Sequence, residues 1–253
     1  MQIGDVVYIE KFTEHVKFII KEISHSTAII SAINYRLILD VPLTDVKYIS
    51  SSKLNKDILD ANCNNLTPHI IINNLSLPKI LHIDSEKIYL NDSLNQYKAM
   101  GVNVFGFSIK ESKQPSLISC LLNKFNPNIL VITGHDSLYQ NKKSSKNLDD
   151  YRNSKYFIES VKIARMYNSN FNDLVIIAGG CKSFHEGLLN AGANFASSPK
   201  RILINVLDPV NIACLIAKTP SNQYLDINYL YKTLKLDMGS FDGIQTQGQK
   251  RIK

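Results

Sequence analysis

Ile129-Leu130-Val131-Ile132-Thr133-Gly134-His135-Asp136 is the stretch on which the fold turns. Four aliphatic side chains in succession leave no polar face, so a strand here must be covered on both sides. A glycine bounds the run and keeps it too short for a helix. Leu174-Val175-Ile176-Ile177-Ala178-Gly179-Gly180-Cys181 repeats the pattern. Working outward, Lys79–Ile83, Val102–Ser108, Ala193–Ala196 and Ile202–Val206 read as further strands. Amphipathic segments near Ser93–Met100, Ser116–Phe125, Tyr151–Tyr167, Phe184–Ala191, Pro209–Ala217 and Asp226–Leu234 read as helices. Apolar strands alternating with covering helices predict a doubly wound α/β domain with a mostly parallel sheet over residues 78–253.

The first fifty residues have a different texture. Val6–Ile9, Val16–Ile20, Thr27–Ile30, Arg36–Leu39 and Val46–Ile49 are short β-branched runs separated by polar turns. They predict a small SH3-like β-barrel over residues 1–52, entered by a tight turn at Ile3-Gly4-Asp5 and serving for docking or spacing. The Asn- and Ser-rich residues 53–77 read as a linker.

The 253-residue chain, 44% hydrophobic and 20% charged, has an ordinary globular composition. Its net charge of +7 is absent from residues 1–50, where five Lys/Arg face six Asp/Glu. Basic clusters at Asn141–Lys155 and at Lys250, Arg251 and Lys253 read as solvated loops, so no nucleic acid is expected. The apolar runs are too short to span a bilayer, and the opening residues lack a secretory signal, which gives the expectation of an intracellular protein. Cys63, Cys120, Cys181 and Cys214 form no CxxC pair, and no nucleotide-binding glycine loop is present. The expectations are reduced cysteines, no disulfide framework, no metal and no cofactor.

Chemistry in open parallel sheets gathers beyond the carboxyl ends of the strands. That rule selects His135 and Cys181, each delivered by a strand and a glycine turn. An imidazole beside a thiol raises the thiolate fraction and later protonates the leaving amine. The separation of 46 residues (181 − 135) fits the His-then-Cys order of caspase-like enzymes. Gly134, Gly179 and Gly180 would let the backbone turn and bring N–H groups near a substrate carbonyl. A helix starting just after Cys181 would favour the thiolate. His185 reads as a surface residue or a rival base, and Cys120 and Cys214 as core. Cys63, His15, His25, His69 and His82 have no place at the rim.

Leu130-Val131-Ile132-Thr133-Gly134-His135-Asp136, Tyr151-Arg152-Asn153-Ser154-Lys155, Ala191-Gly192-Ala193-Asn194-Phe195-Ala196-Ser197-Ser198-Pro199 and Leu207-Asp208-Pro209-Val210 resemble the YabG family of sporulation-specific peptidases of spore-forming Firmicutes. The resemblance implies a cysteine peptidase of the mother cell and the forming spore coat. It would trim coat and germination proteins after arginine and process itself, with Cys181 as nucleophile and His135 as general base. That family is similar in turn to the caspase, clostripain and gingipain group, where a glycine follows the histidine. Here Asp136 follows and Gly134 precedes, so the backbone around Gly134, Asp136, Gly180 and Cys181 is expected to supply the oxyanion donors. Lys182 stands where a glutamine is expected. Arginine selection requires a buried carboxylate, for which Asp84 is best placed; Asp208 and Asp136 are alternatives, and Asp136 could instead orient His135. Arg152 is a candidate self-cleavage site. Two other readings remain open: a non-catalytic coat-assembly scaffold and a small-molecule thiol hydrolase.

Overall fold

The structure, a computed structural model, describes residues 1–12, 16–33, 35–51, 66–73, 76–139 and 146–251. Most of the stretch read as a linker therefore lies outside the described residues, as do Cys63, His15 and residues 140–145 of the basic loop.

Strands β1 (Asp5–Ile9), β2 (Phe18–Ile23), β3 (Thr27–Ala32), β4 (Ile38–Pro42) and β5 (Val46–Ser51) form an antiparallel sheet in the order β4-β3-β2-β1-β5. Gly4, at φ 97°, makes the entry turn. Val7, Ile9, Phe18, Ile20, Ala28 and Ile30 alternate with more exposed residues and bury one face. The sheet curls into a half-barrel, with no ladder joining β4 to β5 among the described residues.

The second sheet has seven strands: β6 (His69–Ile71), β7 (Lys79–Asp84), β8 (Asn103–Ser108), β9 (Ile129–Ile132), β10 (Val175–Ala178), β11 (Phe195–Ser197) and, after a two-residue β12 (Tyr224–Leu225), β13 (Phe241–Gly243). Their order is β13-β11-β10-β9-β7-β8-β6. The five inner strands are parallel, while β6 and β13 run antiparallel at the edges and make the sheet mixed. The segment Ile202–Val206 is not a strand. It follows two residues in the left-handed region, Ser198 (φ 63°) and Arg201 (φ 55°), and bridges the first sheet only at Asn205, opposite Tyr35. Strand β14 (Thr246–Gln247) pairs with β12 in a small C-terminal ribbon.

Successive side chains of the inner strands feed opposite cores. Ile129 and Val131 of β9, with Val175 and Ile177 of β10, join helices α1 (Lys87–Ala99) and α5 (Asp208–Lys218). Leu130, Ile132, Ile176 and Ala178 join α2 (Gln114–Phe125), α3 (Ser154–Tyr167) and α4 (His185–Asn190). A final helix, α6 (Ile227–Leu234), adds Leu230 to the first core. Each fully buried aliphatic contributes about 1.5–3 kcal/mol, which explains why the runs carry no polar residue. The first core is continuous with the half-barrel: Val7, Phe18, Ile30 and Leu37 belong to the same cluster as Ile80, Val131 and Val210.

The cysteines divide differently from expectation. Cys181 and Cys214 are free and buried. Cys120 lies on the exposed face of α2 and is disulfide-bonded, so it is neither core nor reduced.

Candidate active site

The sheet changes direction between β7 and β9. From β7 the chain goes to β8 on one side, then returns to lay β9 on the other. The crevice beyond such a switch point is where loops diverge and a ligand fits. Asp84 ends β7, His135 follows β9, and Cys181 follows β10, which pairs directly with β9 through Ala178 and Ile132. The two strands expected to be neighbours are neighbours.

The glycines make this junction close. A Cβ on Gly180 would lie 2.3 Å from the Gly134 carbonyl oxygen, so the histidine and cysteine loops touch backbone to backbone. Gly179, at φ 111°, is crowded by Ser197 and Leu188. Asp136 fastens the loops together from below. Its buried carboxylate accepts from the Ser137 and Asn153 N–H groups at 2.9 and 2.8 Å, from the Ser154 hydroxyl, and from Ser183 Oγ at 2.9 Å. Ser183 in turn accepts the Gly180 N–H at 2.9 Å. Burial pushes the Asp136 carboxyl up to about 6 despite these donors. Its contacts are to loop backbone and serines, neither to the His135 ring nor to a guanidinium.

The N–H groups of Asp136 and Cys181 converge on one acceptor, the carbonyl oxygen of Arg36, at 3.2 and 3.1 Å. The Arg36 side chain, fully buried, reaches past the end of β7. Its Nε and Nη2 both donate to Asp84 Oδ2, at 3.0 and 2.8 Å, and Nη1 donates to the Val206 carbonyl at 2.7 Å. Thr133 Oγ1 donates to the same carboxylate oxygen at 2.7 Å, and the Glu86 N–H donates to the other at 3.0 Å. Burial alone would raise the Asp84 pKa, but the Arg36 charge, the neighbouring His82 and the Glu86 N–H hold it well below the usual carboxylate range. Asp208, the first residue of α5, does not touch Arg36; burial and the neighbouring Asp237 push its carboxyl up to about 6.

The thiol and imidazole face other partners. Cys181 Sγ accepts the Ile204 N–H at 3.1 Å and lies 3.7 Å from the Ile204 carbonyl oxygen, and burial pushes the thiol up to about 12. Helix α4 begins four residues later, at His185, and does not offset that burial. His135 Nε2 pairs with Ser31 Oγ of β3 at 2.9 Å, and Nδ1 lies 3.5 Å from Ser85 Oγ. Tyr89 packs on the ring at 5.3 Å between centroids. Burial lowers the imidazole to about 4, opposing the Glu86 and Asp84 charges. Glu111 accepts the His135 N–H at 2.8 Å, and burial raises its carboxyl to about 7. No hydrogen bond joins His135 to Cys181 among the described residues.

The remaining candidates are accounted for. His185 is buried, contrary to expectation, with Nε2 3.8 Å from Asp242. Lys182, at φ 55°, lays its ammonium over the Phe12 ring. Arg152 pairs with Asp40 and covers Tyr139. Among the described residues no cluster of ligating side chains could hold a metal ion, and no helix is long and apolar enough to cross a membrane.

A family model described as YabG peptidase U57 matches residues 72–253. This chain belongs to the YabG peptidase family. The sporulation-specific protease YabG of Bacillus subtilis (strain 168) is 45% identical over 175 residues, which cover 69% of this chain and 60% of that protein. No solved structure matches. The YabG family match contains Asp84, His135 and Cys181, whereas Ser31 and Arg36 precede it. Arg36, Ser31, Ser85 and Glu111 are the residues that sequence reasoning missed. Ser85, next to Asp84 at the end of β7, was within reach of the strand-end rule; Ser31, on the other sheet, and Arg36, in the connection after it, gave no signal.

Proposed function

We propose that this chain is a sporulation-specific cysteine endopeptidase of caspase-like type that cuts spore coat and germination proteins after arginine and processes itself, acting in the mother cell and at the coat. One observation carries the reading: beside the loops bearing His135 and Cys181, two backbone N–H groups meet a single carbonyl oxygen whose own arginine side chain ends on buried Asp84.

A substrate arginine placed likewise would pair with Asp84 and present its carbonyl to the Asp136 and Cys181 N–H groups. Those donors are fixed before the oxyanion forms, which is what makes such stabilisation effective. Cys181 Sγ would attack the carbonyl carbon as His135 takes the thiol proton. The peptide C–N bond would then break as His135 returns that proton to the departing amine. Water, deprotonated by the same imidazole, would hydrolyse the thioester. Gly134 and Gly180 serve by their lack of Cβ rather than as donors.

The test is hydrolysis of an arginyl peptide by the purified chain, beside Cys181→Ala and a glutaminyl peptide. The expected result is a loss of at least about a thousandfold in kcat/KM for the variant and no cleavage of the glutaminyl peptide. Unchanged cleavage by Cys181→Ala would reject Cys181 as the nucleophile, absence of cleavage by either protein would favour the scaffold reading, and equal cleavage of both peptides a general thiol hydrolase.

A further inference from the structure

Arg36 belongs to the chain itself, to the connection between β3 and β4 of the half-barrel. We propose that this hairpin tip is a tethered stand-in for substrate, which keeps the peptidase latent until the tip leaves the cleft. The inference rests on the peptidase reading of the same site.

Three separate contacts place half-barrel atoms where the reaction needs empty space. The Arg36 guanidinium takes the Asp84 carboxylate. The Arg36 carbonyl takes both converging N–H groups. Ser31 Oγ takes the imidazole nitrogen Nε2. The backbone on either side of Arg36 is held as well, since Tyr35 bridges Asn205 and Leu37 bridges Asp136. An incoming arginine peptide would find the pocket, the oxyanion position and the base already engaged.

The tip is not itself attacked in this arrangement. The Leu37 N–H folds back to the Tyr35 carbonyl at 2.8 Å, closing a tight turn with Arg36 at its apex, whereas an extended segment is what a strand-lined cleft cuts readily. Cys181 Sγ is directed to Ile204 rather than to His135. Burial keeps both groups in their neutral forms.

If the tip excludes substrate, apparent reactivity scales with the fraction of molecules in which it has left. Arg36→Ala weakens its hold on the pocket. The variant is expected to alkylate Cys181 with iodoacetamide at neutral pH at least about tenfold faster than the unaltered chain, and to hydrolyse an arginyl peptide correspondingly faster. Equal alkylation and equal cleavage in both proteins would overturn the latency and leave the peptidase reading standing. Faster alkylation with no cleavage by either would sustain the occluding tip and sink the peptidase reading.

Because Arg36→Ala leaves Asp84 buried and unpaired, a second measurement uses the unaltered chain. Labelling with an arginyl chloromethyl ketone should attach to Cys181 and strip hydrogen-exchange protection from Leu37 and its neighbours, as the arginyl group replaces Arg36. Labelling at Cys181 with protection of residues 35–37 unchanged would show that the tip and the substrate do not compete.

Discussion

At the end of β7 the polar groups have found one another, whereas beyond β9 and β10 the imidazole and the thiol have each found someone else. Asp84 holds its arginine through short charge-assisted bonds, and the backbone donors point at one oxygen. Meanwhile Cys181 turns to Ile204 and His135 to Ser31. The contrast teaches that the ion pair and the converging donors are built into strand ends and backbone, which fold with the sheet. The imidazole is oriented by Ser31 of the half-barrel and the thiol by Ile204 of the segment after β11.

Breaking the completed half should have the largest effect. Asp84→Asn leaves a guanidinium buried without its charge partner, and urea unfolding should show a loss of about 3–5 kcal/mol. Read from the sequence alone, the same change should cost little stability. A loss below about 1 kcal/mol would mean that Arg36 escapes to water.

The unassembled half can be probed through pH. Glu111, raised from an ordinary 4.5 to about 7, favours its protonated form when folded, so it lends stability below pH 4.5 that is lost as pH rises through 7. His135, lowered from 6.5 to about 4, has the opposite sign: its contribution is present above pH 6.5 and lost as pH falls through 4. The two slopes mask each other in the unaltered chain. Glu111→Gln removes one of them, and between pH 4.5 and 7 it should gain about 2–3 kcal/mol relative to the unaltered chain. Parallel curves would place Glu111 in water. The smallest effect is expected where the halves meet. Gly180→Ala should cost about 1–3 kcal/mol and slow peptide cleavage, because its Cβ must push the Gly134 carbonyl away; a neutral substitution would mean that the loops part easily.

How much of this was legible follows from which forces act locally. Runs such as Ile129–Ile132 announce themselves because burial on both faces forbids any polar residue, and the strand-end rule then singled out His135 and Cys181, with Asp84 added by the family resemblance. The edge strand β6 escaped notice because one side is open: Ile70 is 54% exposed in an Asn-rich stretch, with no alternation to read. β13 is three residues, Phe241-Asp242-Gly243, paired only through β11. Ile202–Val206 has strand composition, but its polar atoms serve Cys181 and Lys182 instead of a ladder. Arg36 was invisible for a different reason. An arginine in a β-branched run reads as solvent-facing, and nothing local says that its partner lies 48 residues away.

The half-barrel and the seven-stranded sheet share one uninterrupted apolar interior, from Val7 and Phe18 through Ile80 to Val210. Such an arrangement melts as a unit, so the amino-terminal region cannot swing off like a detachable cap without exposing that shared interior. Release has to be a small, local event: the bend at Arg36 lifting away while both sheets stay in place.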